Sequence, residues 1–284
     1  MRRLFRFGVL LSGVLMVSVI GIATLIRAED STDISSLGES VPVVAVPRTA
    51  PPTLTTPTWG MFDLKEGVVV VGADTDTPHP MASITKLFTA YAVVTQGSTT
   101  APVVVSWSDL DTEGRAGKLA YGEHLTQGAL LFPLLLESSN DAGAALERVL
   151  GDTFFASVET LISTVPLTDT RVVDATGLRT ENVSSVRDLA RFYAYIHAAY
   201  PHIIDITQLP VYVGPYAGLV NNNPAQKLPQ FSGGKHGYTD AAQRTFVGTF
   251  RLEGKDREIG VVLLGSADIV HDITRILSYA EARL

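Results

Sequence analysis

A serine and a lysine stand three residues apart in the stretch Pro80-Met81-Ala82-Ser83-Ile84-Thr85-Lys86, at the start of an apolar run. Positions i and i+3 lie on one face of a helix, so the Ser83 hydroxyl and the Lys86 amine would come within hydrogen-bonding distance. A serine hydroxyl is a weak nucleophile until a base takes its proton, and a lysine can be that base when its surroundings depress its pKa. The pair therefore predicts a serine nucleophile activated by lysine.

Two further polar signatures follow in the order that this chemistry requires, Ser138-Ser139-Asn140 and Lys235-His236-Gly237. A Ser-x-x-Lys match alone is weak evidence, because the chain contains a second one, Ser232-Gly233-Gly234-Lys235. The first match gains weight from its helical context and from the two later signatures. Ser-x-x-Lys, Ser-Asp-Asn and Lys-Thr-Gly together mark penicillin-binding proteins and class A β-lactamases.

With these motifs the chain resembles the D-alanyl-D-alanine carboxypeptidases, low-molecular-mass penicillin-binding proteins of the β-lactamase/transpeptidase-like superfamily of serine peptidases. Pro80–Ala90 resembles the family's nucleophile helix, Leu134–Ala145 its second-motif segment, and Val173–Leu178 with Ser184–Ala190 its middle region. The resemblance covers about residues 62–265. It implies an α+β fold in which an antiparallel sheet is flanked by helices and a central helical subdomain is inserted.

The resemblance also implies roles for the first two motifs. Ser83 would attack the carbonyl of a D-Ala-D-Ala peptide bond, and Lys86 would accept its proton. Ser138 would relay a proton to the departing D-alanine nitrogen, and Asn140 would hold the substrate amide and orient Lys86. Water would then hydrolyse the acyl-enzyme, whereas a β-lactam would acylate the serine and leave slowly. No cofactor or metal is implied.

Across the cleft, Lys235 would raise the local positive potential, which favours a neutral Lys86 and attracts the substrate's terminal carboxylate. The backbone N–H groups of Ser83 and Tyr238 would form the oxyanion hole. Gly237 would let the substrate lie against the strand.

The third motif departs from the family pattern, because His236 stands where the family has Thr or Ser. That hydroxyl normally helps to bind the substrate carboxylate. An imidazole could replace it as a donor, or it could block the subsite and weaken or alter the activity. Arg244, at the start of the next strand, could supply compensating positive charge or could be a solvated surface arginine.

The elements that must position these motifs can be predicted from periodicity and turn residues. A helix from Ser83 should end near Gln96, and a helix capped by Thr126 should be kinked or restarted at Pro133. Another should begin at Asn140 or Asp141 and close at Gly151. A capping box at Ser185–Asp188 should open a helix that Pro201 stops near Tyr200.

Strands are predicted towards both ends of the domain. The run Val68–Val71 suits a hairpin or a buried strand, and short β-like runs follow at 211–213, 232–238, 245–250 and 259–264. A final helix over 269–283 has one apolar face, made by Ile269, Ile273, Ile276, Leu277 and Ala280. Residues 59–284 thus form one domain, its α/β part about 59–95 and 211–284 and its helical part about 96–210.

The N-terminus reads as an export segment. Arg2, Arg3 and Arg6 precede roughly nineteen uncharged residues, Gly8–Ile26, about enough to cross a bilayer core. We expect residues 1–27 to be an uncleaved membrane anchor with the domain on the extracytoplasmic side; a cleaved signal peptide, with a secreted domain, is the competing interpretation. Residues 28–58, rich in Ser, Thr and Pro, predict a linker, although Val43–Val46 could be an edge strand.

Composition narrows the classes of function and partner that remain open. The 284-residue chain is 46% hydrophobic, enough to bury a sizeable core. A net charge of −7 without long charged runs argues against nucleic acid as a partner. With no cysteine, disulfides and thiolate chemistry are excluded, and the histidines show no metal-ligand spacing. Many relatives carry a C-terminal β-domain and membrane-binding helix with no counterpart before Leu284, so anchoring is expected at the N-terminus.

The leading hypothesis is a membrane-anchored serine D,D-carboxypeptidase acting on peptidoglycan stem peptides that end in D-Ala-D-Ala, with β-lactams as inhibitors. A catalytically weak or inactive wall-binding protein, altered through His236, is the alternative from another class. A β-lactamase is less favoured. Class A enzymes need a glutamate for the deacylating water, and Glu181-Asn182 does not lie in a convincing loop of that kind.

Overall fold

The computed structural model describes residues 50–284 except 97–98, 115–117 and 216–217. Two short 3-10 turns, Ala82–Ile84 and Pro224–Lys227, accompany the main elements. In chain order these are β1 (Thr58–Asp63), β2 (Val68–Ala73), β3 (His79–Pro80), α1 (Thr85–Thr95), β4 (Pro102–Val104), α2 (Trp107–Leu110), β5 (His124–Thr126), α3 (Gln127–Leu136), α4 (Asn140–Leu150), α5 (Asp152–Thr164), β6 (Val183–Ser184), α6 (Val186–Ala199), α7 (Pro201–Gln208), β7 (Val211–Tyr212), β8 (Leu219–Val220), β9 (Phe231–Thr239), β10 (Gln243–Arg251), β11 (Glu258–Ser266) and α8 (Ile269–Glu281).

Strands from both ends of the described chain build one five-stranded antiparallel sheet in the order β2-β1-β11-β10-β9. The sheet and the surrounding helices confirm the predicted α+β class. The Val68–Val71 run forms the second strand of a hairpin with β1, and the turn between them closes at Gly67, whose φ is +64°. It is not a buried strand, because the side chains of Val68 and Val70 are exposed.

Each face of the sheet covers its own apolar cluster. In the β9–β10 register, Lys235 lies opposite Val247 and His236 opposite Phe246. Val247 belongs to the larger cluster, with α1 and α3–α7, whereas Phe246 belongs to the cluster under α8. Successive side chains of a strand point to opposite faces, so Lys235 and His236 leave β9, the edge strand of the sheet, on opposite faces. The predicted apolar face of α8 is buried throughout.

The predicted helices are present, with differences that have local causes. Helix α3 runs through Pro133 and ends at Leu136, so the alternative of a restart is wrong. Pro201 ends one helix and also begins the next, since its fixed φ suits the first helical position. Ser185 accepts from the Asp188 N–H, but the Asp188 carboxylate accepts from Asp169 and Thr170 in place of completing the box.

The sequence predictions for residues 1–27, for most of the linker and for the Val43–Val46 strand lie outside the described residues. Within the described ranges, no helix has the length and apolar character needed to cross a bilayer. The proposed division into α/β and helical parts stays a prediction. The stretch 96–210 holds α2–α7 and also the short strands β4, β5 and β6.

Candidate active site

Ser83 and Lys86 meet at the junction of a 3-10 turn and α1. Ser83 lies within the Ala82–Ile84 turn, whose i and i+3 side chains eclipse, and Lys86 is the second residue of α1. The Lys86 Nζ donates to the Ser83 Oγ at 3.0 Å. The expected pairing is therefore present, although the α-helix begins two residues after the serine. Ala82, just before it, has a φ of +47°, a strained conformation of the kind that clusters at functional sites.

Lys86 is completely buried and held by three acceptors. Besides Ser83, its Nζ donates to the Asn140 Oδ1 at 2.7 Å and to the Thr176 carbonyl oxygen at 2.6 Å. Burial lowers the pKa of Lys86 to about 7, and the negative charge of Asp174 opposes that shift. Near neutral pH a large fraction of the amine is thus unprotonated and able to accept the serine proton.

The Thr176 carbonyl is positioned by a loop that closes around Asp174. The carboxylate accepts from the N–H groups of Thr176, Gly177 and Arg179 and from the Asn182 Nδ2, all within 3.0 Å. Burial raises the pKa of Asp174, but these hydrogen bonds outweigh that effect and hold it below the ordinary value. The carboxylate is thus a fixed negative charge behind the lysine.

A hydrogen bond links the second motif to the third across the cleft. Ser138, which follows α3 with a φ of +60°, accepts at its Oγ from the Lys235 Nζ at 3.0 Å. Ser139 caps α4 by accepting from the Ala142 N–H at 3.0 Å. This cap places Asn140 at the start of the helix, where its Oδ1 faces Lys86 and its Nδ2 donates to the Glu113 carbonyl at 2.7 Å.

Lys235 is also buried, and its Nζ donates to the His236 carbonyl at 2.7 Å. Burial lowers the pKa of Lys235 well below its ordinary value, and the nearby Lys86 lowers it further. The amines of Lys86 and Lys235, whose positive charges would repel each other, therefore face one cleft. A negatively charged group bound beside Lys235 would favour the charged form of that amine.

The edge of β9 lies directly against the Ala82–Ile84 turn that holds Ser83. A Cβ added to Gly237 would lie 2.5 Å from the Ser83 nitrogen and 2.9 Å from the Ala82 Cβ, so only glycine allows this approach. From β10, Thr245 donates to the Met81 carbonyl at 2.9 Å and ties the same turn to the sheet. The serine is thus fixed from both its helix and the strand.

His236 is half-buried at the cleft edge, and its Nδ1 is a buried atom that no described residue hydrogen-bonds. Burial lowers the pKa of this imidazole well below its ordinary value, and the charges of Lys235 and Lys86 lower it further. The ring is therefore neutral at pH 7. It has one N–H donor and one acceptor, in contrast to the hydroxyl that the family pattern places here.

Tyr238 and Arg244 lie opposite each other in the β9–β10 register, on the face that also carries His236. Tyr238 is exposed, its hydroxyl donates to the Asp240 Oδ1 at 3.0 Å, and the Arg244 guanidinium lies 5.5 Å from its ring centroid. The Arg244 Nη1 donates to the Ala267 carbonyl at 3.3 Å. Arg244 therefore forms no ion pair among the described residues, and its charge remains available at this edge.

Three supporting residues were not assigned roles from the sequence. Asp174 and Thr176 build the floor beneath Lys86, and the Glu113 carbonyl holds the Asn140 amide. The spacing Asp-Ala-Thr-Gly is an available signal, because an aspartate that accepts from the residues two and three positions later is a common turn. Glu113 acts through its backbone, which leaves no signal in the sequence. Within the described ranges, no three acidic or histidine side chains lie together as metal ligands.

The family model for D-alanyl-D-alanine carboxypeptidase matches residues 45–267, well over half of the chain. The chain belongs to this family. The membership confirms the resemblance drawn from the three motifs, and serine-type D-Ala-D-Ala carboxypeptidase is the enzyme class that it supports.

Individual relatives agree with the family assignment. The D-alanyl-D-alanine carboxypeptidase DacB2 of Mycobacterium tuberculosis is 31% identical over 208 residues, covering 70% of this chain and 71% of the relative. A crystal structure of a D-alanyl-D-alanine carboxypeptidase from the same organism is 26% identical, with a TM-score of 0.75 over 84% of this chain and 94% of that one. The Streptomyces K15 DD-transpeptidase, 21% identical with a TM-score of 0.75, covers 82% of this chain and 100% of its own, and shows the shared fold.

Proposed function

We propose that the protein removes the terminal D-alanine from peptidoglycan stem peptides through an acyl-enzyme on Ser83. The observation that carries this proposal is the buried Lys86, whose Nζ lies 3.0 Å from the Ser83 Oγ and whose pKa is lowered to about 7. An amine in this state can take the hydroxyl proton as the oxygen attacks a carbonyl. Family membership supplies the substrate class.

Acylation would use the arrangement around α1 and β9. The Ser83 oxygen attacks the carbonyl carbon between the two D-alanines while its proton passes to Lys86. The developing oxyanion is met by the N–H groups of Ser83 and Tyr238, which is consistent with the close approach of Gly237 to the Ser83 nitrogen. The C–N bond then breaks, and the departing D-alanine nitrogen receives a proton through the Ser138 hydroxyl, which Lys235 contacts. Water afterwards attacks the ester and releases the shortened peptide.

The substrate carboxylate would bind near Lys235. In the free protein, burial and the neighbouring Lys86 both disfavour the charge of this amine. A carboxylate at this position favours the charged form of Lys235, and the resulting ion pair adds little net charge beside Lys86. His236 adds a neutral donor, and Arg244 adds a charge at the outer edge.

Intact mass spectrometry of the full chain after exposure to a penicillin tests this proposal. We expect a single adduct equal to the mass of the β-lactam, because ring opening on Ser83 adds every atom of the drug. The Ser83→Ala variant should show none, while Ser232→Ala, in the second Ser-x-x-Lys match, should label like the wild type. Absence of an adduct on folded wild-type protein would refute the Ser83 acyl-enzyme. D-alanine release from a peptide ending in D-Ala-D-Ala then tests turnover.

We further propose that residues 1–27 hold the protein in the cell membrane with its domain on the extracytoplasmic side. The support is the uncharged stretch Gly8–Ile26 and the three arginines before it. The protein should stay with membranes after carbonate extraction, and external protease should reach the domain in spheroplasts. A mature chain that begins after residue 27 in a soluble fraction would identify a cleaved signal peptide.

A further inference from the structure

Two exposed aromatic side chains, Trp107 and Tyr121, stack on each other near the start of α2. The rings of Trp107 and Tyr121 have centroids 4.6 Å apart and planes 11° apart. Stacking covers one face of each ring, yet Trp107 is 65% exposed and Tyr121 is 59% exposed. Their outer faces are therefore open to solvent. Large apolar surfaces exposed in this way commonly mark a binding site.

The pair is held rigidly rather than displayed on a loose loop. Trp107 opens α2, whose start is fixed by a capping box between Ser106 and Asp109. The Asp109 carboxylate also forms an ion pair with Arg148 of α4, with the Nε–Oδ1 distance at 2.8 Å. After Tyr121, the Gly122 N–H donates to the Val105 carbonyl at 2.9 Å. A preformed aromatic surface loses little conformational entropy when a ligand binds.

The surroundings of Trp107 offer hydrogen-bond acceptors next to the ring. A depression of about 400 Å³ is lined by Trp107, Ser108, Leu110 and Asp111, within the usual size range for small-ligand sites. The Asp111 carboxylate makes no hydrogen bond or ion pair with another described residue, and the Ser108 hydroxyl is exposed. An apolar ring face flanked by a carboxylate and a hydroxyl is suited to a ligand with a C–H face and several hydroxyl groups. A pyranose ring has this chemistry, because its polarised C–H groups meet the negative face of an aromatic ring.

The position of the pair connects it to the active site. Glu113, six residues after Trp107, accepts from the Asn140 Nδ2 at 2.7 Å. Asp109, two residues after Trp107, pairs with Arg148, which lies eight residues after Asn140 on α4, about 12 Å along the helix axis. A stem peptide of four or five extended residues spans about 14–17 Å. The separation along α4 between Asn140, which contacts Lys86, and Arg148 is comparable with the length of such a peptide.

We propose that Trp107 and Tyr121 form a platform for the amino-sugar glycan that carries the stem peptide, with Asp111 and Ser108 accepting from sugar hydroxyls. This inference rests on the proposed function for the identity of the glycan. It extends that function from recognition of the peptide end to recognition of the strand that bears it.

Tryptophan fluorescence of the full chain, titrated with β-1,4-linked N-acetylglucosamine hexasaccharide, tests the platform directly. The sequence has two tryptophans, and Trp59 is only 3% exposed, so a saturable change on binding reports Trp107. We expect saturation in the wild type, loss of the change in Trp107→Phe, and binding at least fivefold weaker in Tyr121→Ala. Val70→Ala, which removes exposed apolar surface elsewhere, should bind like the wild type. No saturable change in the wild type would overturn the proposal.

Kinetics provide a second measurement that separates the platform from the catalytic groups. For Trp107→Ala we expect the KM for D-alanine release from a disaccharide-linked stem peptide to rise five- to tenfold. The kcat for that substrate and both constants for the bare peptide should stay unchanged, because the lost binding is remote from the reacting bond. Equal KM values for the two substrates in the wild type would contradict the proposal. So would a Trp107-dependent self-association or vesicle binding without any saccharide effect, because the pair would then serve a second copy or a membrane.

Separate measurements test the proposed function and the platform, so one can be refuted without the other. Hexasaccharide binding is measured without turnover, and penicillin labelling is measured without sugar. Loss of labelling with intact saccharide binding would count against the Ser83 chemistry alone, whereas normal labelling without saccharide binding would count against the platform alone.

Discussion

Under the proposed function, Lys86 sets the pH range in which the site can act. Its pKa is lowered to about 7 by complete burial, so the proton that would disable it as a base leaves near neutral pH. The Asp174 charge acts in the opposite direction and prevents a deeper shift. The balance between the two keeps the amine both neutral enough to accept a proton and basic enough to hold it.

The rate of penicillin acylation should therefore depend on pH through Lys86. Below about pH 7 the amine is protonated, and we expect the second-order rate constant to fall about tenfold per pH unit. Above pH 7 the constant should level off as the neutral form predominates. Stopped-flow measurement of acylation between pH 5 and 9 checks this. A flat profile down to pH 5 would show that another group takes the proton.

In the proposed mechanism, the neutral ring of His236 helps to bind the substrate carboxylate. Its Nδ1 is buried without a hydrogen-bond partner among the described residues, and an unsatisfied buried polar atom costs about 1–3 kcal/mol. A substrate that provides the partner recovers this cost. We expect His236→Phe, similar in shape without the nitrogens, to lower kcat/KM for a D-Ala-D-Ala peptide about tenfold. His236→Thr, which restores a hydroxyl, should stay close to the wild-type value.

Steady-state kinetics on the three proteins decide between the two interpretations of this residue. If the imidazole blocks the subsite, His236→Thr should exceed the wild type severalfold and the Phe variant should remain equal to it. The penicillin adduct on each variant controls for folding.

At the scale of elements, the Ala82–Ile84 turn that holds Ser83 is closely approached by two segments. The loop after Asp174 passes beneath it, and Gly177, with a φ of +83°, lies so close that an added Cβ would sit 2.0 Å from the Ala82 carbonyl oxygen. Strand β9 presses from the side at Gly237. The turn has no room to move, which suits a serine that must stay aligned with its base.

Substitution of Gly177 by alanine should damage both stability and catalysis. The clash with Ala82 displaces the residue before Ser83, and we expect acylation to slow at least tenfold, since misplacement of about 1 Å can cost 10²-fold. Gly151 is the matched control, because its φ is also positive, at +53°, but an added Cβ would meet nothing within 4 Å. Gly151→Ala should lose only about 1–2 kcal/mol of stability and none of the activity. Equal acylation rates in the two variants would contradict the steric argument.

At the scale of the whole molecule, the two ends of the described chain are joined beside the sheet. Asp272 of α8 is completely buried, and its carboxylate accepts from the Thr55 N–H at 2.7 Å, the Thr55 Oγ1 at 2.6 Å and the Ser266 Oγ at 2.7 Å. Strand β1, which follows Thr55, pairs with β11, which precedes α8. These contacts thereby join the first described residues to the C-terminal helix.

Asp272→Asn should lower the free energy of unfolding by about 2–3 kcal/mol, because hydrogen bonds to a charged group are replaced by weaker ones and one donor meets a donor. The acylation rate of folded protein should not change. Asp268→Asn is the control, since Asp268 caps α8 by accepting from the His271 N–H and asparagine caps equally well. Urea unfolding followed by circular dichroism measures both variants. A loss of acylation rate in Asp272→Asn would show that these contacts influence the active site.

The sequence by itself determined the motifs and most of the elements that carry them. Apolar periodicity located α1, α8 and the last three strands. The spacing of apolar residues within one element specifies which stripe of a helix or which face of a strand is buried. The Ser83–Lys86 pair could be predicted because both residues lie within one turn. The same local logic identified Thr126 and Ser185 as helix caps, since each accepts from a backbone N–H three residues later.

The tertiary structure decided what joins distant parts of the chain. The contacts of Lys86 with Asn140 and Thr176 span 54 and 90 residues, and no local pattern specifies such partners. The neutral state of Lys86 also depends on burial, which is a property of the packed core and not of the lysine. His236 shows the same limit. Its residue type was visible in the sequence, but its burial, its unpaired Nδ1 and its place on the face opposite Lys235 follow only from the register of β9 against β10.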